Sequence, residues 1–126
     1  MSELKTILHV DDDEDILEIT RMALQLVDTF ELHQCDCGPD ALEALDSMNP
    51  DLLLLDVMMP GMTGPELWEK VRARPDRAEI PVVFMTAKAE TKISTDLMNR
   101  GALKVVTKPF DPMTLGAELR TAWAER

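Results

Sequence analysis

Four short, almost wholly apolar runs, each stopped by a polar residue, constrain this chain more than any other feature. Residues 7–10 end at Asp11, 52–55 at Asp56, 82–85 at Thr86, and 105–106 at Thr107-Lys108. Runs this brief and this uniformly apolar read as strands buried on both faces, as in a parallel sheet, because a strand with one wet face alternates. A weaker strand is expected over residues 30–35. Between the runs lie helix-length segments with apolar residues three and four apart: Ile16, Ile19, Ala23 and Val27; Ala41, Leu42 and Leu45; Leu67 and Val71 within 66–72; and Leu115, Leu119, Ala122 and Trp123. A fifth, less amphipathic helix is expected over 90–99. Gly38-Pro39, Asn49-Pro50, Pro60-Gly61, Gly64-Pro65, Pro75, Pro81 and Pro109 are expected to punctuate the gaps. Five strands alternating with five helices imply an α/β fold, a parallel sheet with helices on both faces.

The chain has 126 residues, one domain's worth, with no repeat, linker or low-complexity tract, so residues 1–126 are expected to be a single domain. With 45% hydrophobic and 29% charged residues it has an ordinary globular composition. Thirteen Lys and Arg against 24 Asp and Glu leave a net charge of −11, which argues against direct binding of nucleic acid or an anionic membrane. The longest aliphatic run, 52–55, is bracketed by Asp51 and Asp56 and is too short to cross a bilayer. Asp11, Asp12 and Asp13 arrive before a signal-peptide core could form, and the two cysteines, Cys35 and Cys37, are too close to staple a fold. A reduced, cytoplasmic protein is expected.

In an open α/β sheet, ligands bind beyond the carboxyl ends of the strands. Those ends carry Asp11, Asp12, Asp56, Thr86 and Lys108. Two negative charges ~5 Å apart repel by roughly 3 kcal/mol at an effective dielectric near 20. Three carboxylates with one ammonium leave the edge two charges negative, which a divalent cation would neutralise. All-oxygen ligands suit Mg²⁺, or Mn²⁺, better than zinc. Such a site fits phosphoryl chemistry: the metal, Lys108 and the Thr86 hydroxyl hold phosphoryl oxygens while a carboxylate attacks. Asp56 is the best nucleophile, alone at a central strand end ahead of a Pro-Gly turn.

Taken together, Val10-Asp11-Asp12, the stretch 55–64 (Leu-Asp-Val-Met-Met-Pro-Gly-Met-Thr-Gly), Met85-Thr86-Ala87 and Lys108-Pro109-Phe110 resemble the response-regulator receiver family over essentially the whole chain. The resemblance implies a three-layer, flavodoxin-like (βα)5 sandwich of strand order 2-1-3-4-5. It implies that Asp56 accepts a phosphoryl group from a sensor histidine kinase or a histidine phosphotransfer protein and signals to a downstream protein. The domain would catalyse only its own phosphorylation and dephosphorylation. By the same resemblance Asp12 and Asp56 ligate Mg²⁺ with the Met58 backbone carbonyl, and Asp11 supports the ion. Thr86 swings toward the phosphoryl group, Lys108 pairs with it, small Ala87 leaves access, and Lys108-Pro109 is a cis peptide.

Other readings compete residue by residue. Glu14 and Asp15 fit a solvated helix start. An EF-hand loop from Asp11 fails at Ile16, where Gly is needed, and at Met22, where Glu is needed. A haloacid-dehalogenase-type phosphatase needs a second acid at Met58. His33, Cys35 and Cys37 alternate and would share one strand face, yet lack a fourth metal ligand; Cys35 is expected in the core and Cys37 at a loop edge. His9 reads as a packed or edge histidine. Met22, Met48, Met85 and Met98 read as core or helix filler, and Met58, Met59 and Met62 as an apolar rim to the site. Trp68 is expected to be partly exposed. Receiver domains usually carry an aromatic residue where this chain has Val105, and acidic ones where it has Leu103 and Lys104. Switching is therefore expected to run through the loop after Thr86 and the helix over 90–99. Met58 and Lys88 cannot activate an attacking water, so slow self-dephosphorylation is expected. The alternative function is an interaction scaffold that keeps the fold without turning over phosphate.

Overall fold

The structure, a computed structural model, describes residues 3–87 and 92–126. Strands β1 (Thr6–Val10), β2 (Glu31–Cys35), β3 (Leu52–Asp56), β4 (Val82–Thr86) and β5 (Lys104–Thr107) form one parallel sheet in the order β2-β1-β3-β4-β5. Helix α1 (Glu14–Arg21) runs on into a π-helical stretch, Met22–Val27, and is followed by α2 (Gly38–Ala44), α3 (Gly64–Arg72), α4 (Lys92–Asn99) and α5 (Leu115–Ala124). The three-layer architecture and the strand order are those expected.

Two separate apolar clusters explain why the central strands are apolar throughout. Leu53 and Leu55 of β3 pack with Leu8, Val10 and Phe84 beneath Ala41 of α2 and Leu67 and Val71 of α3. Leu52 and Leu54 face the other way, toward Ala23 and Leu24 and toward Leu115 and Leu119 of α5. Each fully buried leucine contributes roughly 2 kcal/mol by leaving water, so β3 tolerates no polar residue before its end. The edge strand β2 is different: Glu31 and His33 are exposed and Leu32 is half-buried, which is why its sequence signal is weak.

Four expectations need correction. The buried stripe of the first helix is Thr20, Ala23 and Leu24, while Ile19 and Val27 are 37% and 46% exposed. The π-helical stretch is wider than an α-helix, so residues after Arg21 no longer follow the 3.6-residue period that placed Val27 inward. Gly38-Pro39 and Gly64-Pro65 open α2 and α3 instead of separating elements, since proline suits a first turn whose N–H groups have no helical partner. At α3 this start is fixed by a reciprocal cap: Glu66 N donates to Thr63 Oγ1 at 3.3 Å, and Thr63 N to Glu66 Oε1 at 3.1 Å. Met22 and Met98 are both 45% exposed, not filler.

Trp68 is the fourth: it is 5% exposed. Its ring meets Phe84 edge-on with centroids 5.4 Å apart, and the guanidinium groups of Arg72 and Arg100 stand 4.8 and 5.6 Å from its centroid. Cations, not water, cover the indole. The segment 88–91, which includes Lys88 and the expected first residues of the helix over 90–99, lies outside the described residues.

Candidate functional site

Because all five strands run the same way, their carboxyl ends meet at one edge of the sheet. Asp56 is the last residue of β3. The chain beyond it folds back at once: Val57 N donates to Met85 O and Gly64 N to Val57 O, both at 3.0 Å. This return brings Gly64 so close that a Cβ there would stand 2.1 Å from the Asp56 carbonyl oxygen, so only glycine permits the turn. Gly61, at φ +80°, supplies its left-handed corner.

Asp11 leaves β1 with its N–H donating to Cys35 O at 3.2 Å. Its Oδ1 accepts from Asp13 N at 2.9 Å, and Asp13 Oδ1 accepts from Asp15 N at 2.9 Å, capping α1. Lys108 follows β5; its N–H donates to Thr86 O at 2.8 Å, and the Lys108-Pro109 peptide is cis. The Lys108 ammonium reaches across the sheet edge to Asp11 Oδ2 at 2.7 Å and Asp56 Oδ1 at 3.1 Å. One carboxylate oxygen each from Asp11, Asp12 and Asp56 lie within 4.8 Å of one another. Asp11 is 0% and Asp56 6% exposed, whereas Asp12 is open to solvent.

These charges strain one another. Burial, then the neighbouring Asp11 charge, push the Asp56 carboxyl up to about 6, although Lys108 pulls the other way. Burial works against the Lys108 ammonium, yet its hydrogen bonds to Asp11 and Asp56 outweigh this and hold it above the usual lysine range. Both oxygens of Asp11 are already engaged, by Asp13 N and by Lys108. Asp12 and Asp56 thus hold the carboxylate oxygens most available to a cation. Three hard oxygen donors with a local surplus of negative charge fit Mg²⁺.

The carboxylates open into a cavity of about 530 Å³, also lined by Met58, Thr86, Ala87, Lys108 and Ile93. The expected site residues Asp11, Asp12, Asp56, Met58, Thr86, Ala87 and Lys108 are therefore together, with Pro109 next to them in the chain. Of the three methionines expected at the rim, only Met58, 68% exposed, lies there. Met59 is 5% exposed in the core, and Met62 is half-buried, with its side chain against Gly38 of α2. Ile93 and Asp13 line the cavity without having been singled out: α4, expected to be the less amphipathic helix, is as amphipathic as α3 and more so than α5, and Asp13 is indistinguishable in sequence from a helix-start acid. His33, Cys35 and Cys37 do not form a ligand group among the described residues. β2 stops at Cys35; Cys37 instead neighbours Asp36 and Asp40, and burial, then nearby acidic charge, push the Cys35 thiol up to about 11. His9 is fully buried, with Gln34 Nε2 3.1 Å from its Nδ1. Val105 is half-buried against the cluster that contains Phe84.

No helix among the described residues is long and apolar enough to cross a membrane. Residues 7–120 match the response regulator receiver domain family. The transcriptional regulatory protein CseB of Streptomyces avermitilis is 38% identical over 120 residues, 95% of this chain and 49% of that protein. The phosphate regulon transcriptional regulatory protein PhoB of Pseudomonas aeruginosa is 35% identical over 116 residues, 92% of this chain and 50% of that protein. The chain thus spans about half the length of these relatives. Among solved structures, the chemotaxis protein CheY4 of Vibrio cholerae superposes with a TM-score of 0.86 at 28% identity, covering 94% of this chain and 98% of that one. The BeF3-activated receiver domain of DrrB superposes with a TM-score of 0.80 at 29% identity, covering 98% and 99%. With its fold, its acidic strand ends and its lysine in these places, the chain belongs to the response regulator receiver domain family.

Proposed function

We propose that residues 1–126 act as one phosphorylation-dependent switch of a two-component phosphorelay. Asp56 takes a phosphoryl group from a sensor histidine kinase or a histidine phosphotransfer protein, and the altered surface is read by a downstream protein. The observation that carries this reading is the Lys108 ammonium held between Asp11 and Asp56, with Asp12 alongside. An interaction scaffold that never turned over phosphate would gain nothing from buried carboxylates that repel one another.

In the transfer, an Asp56 carboxylate oxygen forms a bond to phosphorus while the bond from phosphorus to the donor's imidazole nitrogen breaks, that nitrogen keeping the electron pair. The residues that would hold Mg²⁺ are Asp12, Asp56 and the Met58 carbonyl, with Asp11 in support. When bound, the ion supplies positive charge against the phosphoryl oxygens. Lys108 exchanges its Asp56 contact for a phosphoryl oxygen, Thr86 offers its hydroxyl to another, and Ala87 leaves the donor's approach open. The domain is a phosphoacceptor, catalysing only its own gain and loss of phosphate. Val105 in place of an aromatic side chain points to a readout through the loop after Thr86 and α4.

Incubation with acetyl phosphate or phosphoramidate plus Mg²⁺, followed by intact mass measurement, tests this. A gain of one phosphoryl group that disappears in Asp56→Asn is expected. No gain would favour the scaffold, and continuous phosphate release without an adduct would favour a phosphatase.

A further inference from the structure

Arginines gather at the opposite end of the sheet. Arg74, Arg77, Arg100 and Arg120 each lie against a carboxylate. Arg72 and Arg126 have none within ion-pair distance among the described residues, although acids outnumber bases 24 to 13 in the sequence. Both are nevertheless fixed in place. Arg72 Nη1 donates to Arg100 O at 3.3 Å, with its guanidinium over Trp68. Arg126 Nη1 donates to Trp123 O at 2.6 Å, with its guanidinium 3.5 Å from the Trp123 ring centroid. A guanidinium carries five N–H donors, so most of each remains available.

Arg72, Arg100 and Arg126 line one cavity of about 390 Å³, together with Pro81 and Leu103, and Glu79 is the one acidic side chain on its described lining. Arginine at a helix C-terminus often simply complements the helix dipole, and α3, α4 and α5 all end here. That role accounts for the bond from Arg72 to the Arg100 carbonyl. It does not account for three guanidiniums lining one cavity, Arg100 paired with Glu69 and Asp96 and the other two held only by stacking on tryptophan and by one backbone carbonyl each.

We infer that this groove binds a compact oxyanion, the phosphate or carboxylate of a small molecule or short peptide, at the end of the sheet away from Asp56. The rigid, stacked guanidinium forks match the paired oxygens of such a group. The ligand is compact because a chain of net charge −11 repels an extended polyanion such as nucleic acid, whereas screening within ~8 Å lets a small anion feel chiefly the guanidiniums it touches. The inference uses no residue of the Asp56 site and stands or falls apart from the phosphoryl-transfer reading.

Pyrophosphate titrated into the full chain at constant ionic strength, without Mg²⁺, provides the test. Indole emission is a built-in reporter, since both tryptophans lie under these arginines. Saturable change is expected, with amide shifts at Arg72, Gly101 and Leu103 and none at Asp12, Asp56 or Met58. Arg72→Gln should weaken binding about tenfold. Arg126→Gln should act in the same direction, which keeps the test valid if one variant folds poorly. Arg74→Gln, which removes the same charge outside the groove, should leave affinity unchanged. A triglutamate peptide that displaces pyrophosphate would identify acidic peptide as the source of the oxyanion, and failure to displace would identify phosphate. The inference is overturned by a non-saturating response, by shifts confined to the Asp56 site, or by Arg74→Gln weakening binding as much as Arg72→Gln.

Discussion

Replacing the phosphoryl-acceptor candidate should make the protein more stable, and the amount follows from its burial. Burial and the Asp11 charge move the Asp56 carboxyl from an ordinary 3.8 to about 6. The unfolded chain therefore releases this proton more readily than the fold does, and ionised Asp56 opposes folding. Well below pH 3.8 both states are protonated and there is no penalty; it grows between about pH 3 and 7 and is complete above that. About two pH units at 1.36 kcal/mol each come to about 3 kcal/mol. An asparagine side chain in its place would have nearly the same shape, stay neutral at every pH and still offer its amide oxygen to Lys108. Asp56→Asn should thus stabilise the domain by about 3 kcal/mol at pH 8, raising the unfolding midpoint by about 10 °C. The difference should shrink to about 1 kcal/mol at pH 4.5. Urea unfolding of both proteins in EDTA at pH 8, 7, 6, 5 and 4.5 measures it, and added Mg²⁺ should narrow the gap by stabilising wild type more. A variant no more stable than wild type at pH 8, or a gap that does not change with pH, would refute the electrostatic account.

Other outcomes follow from the same geometry. Lys108→Ala strands the fully buried Asp11 beside Asp56 and should cost about 3 kcal/mol, partly recovered by Mg²⁺, and should abolish phosphoryl acceptance in the intact-mass assay. Met58→Asn places a hydrogen-bonding group at the cavity rim and should speed phosphoryl loss by about tenfold, the worth of one hydrogen bond of ~1.4 kcal/mol; an unchanged or slower loss counts against the reading that Met58 cannot activate the attacking water. Burial, then the charge of Lys108, lower His9 to about 3, so stability should fall as pH drops below 6.5, by about 3 kcal/mol at pH 4.5. Because Asp56 acts oppositely over that range, the loss is best measured in Asp56→Asn, where a further His9→Asn change should remove it.

The site was legible because its logic is one-dimensional. A strand buried on both faces must be apolar until it surfaces, so Asp11, Asp56, Thr86 and Lys108 announce themselves among the first polar residues after each run. Parallel topology then brings them to one edge, and nothing about their partners needs to be known beforehand. The helices were less legible. Ile19 and Val27 fit an apolar period, yet Thr20 and Leu24 are the buried residues; after Arg21 a π-helical stretch that sequence patterning does not reveal changes the period.

Sequence by itself determined the sheet, its layers and the residues that crowd its carboxyl edge, because burial and chain direction act locally on each strand. Tertiary structure alone decided that Lys108 is shared between Asp11 and Asp56, that Asp56 is hard to ionise, that Trp68 lies beneath Arg72 and Arg100, and that three guanidiniums converge where α3, α4 and α5 end. Each of these depends on groups far apart in the chain, 97 residues apart for Lys108 and Asp11. The energy of such a contact is set by distance and burial in space, which no local pattern of residues encodes.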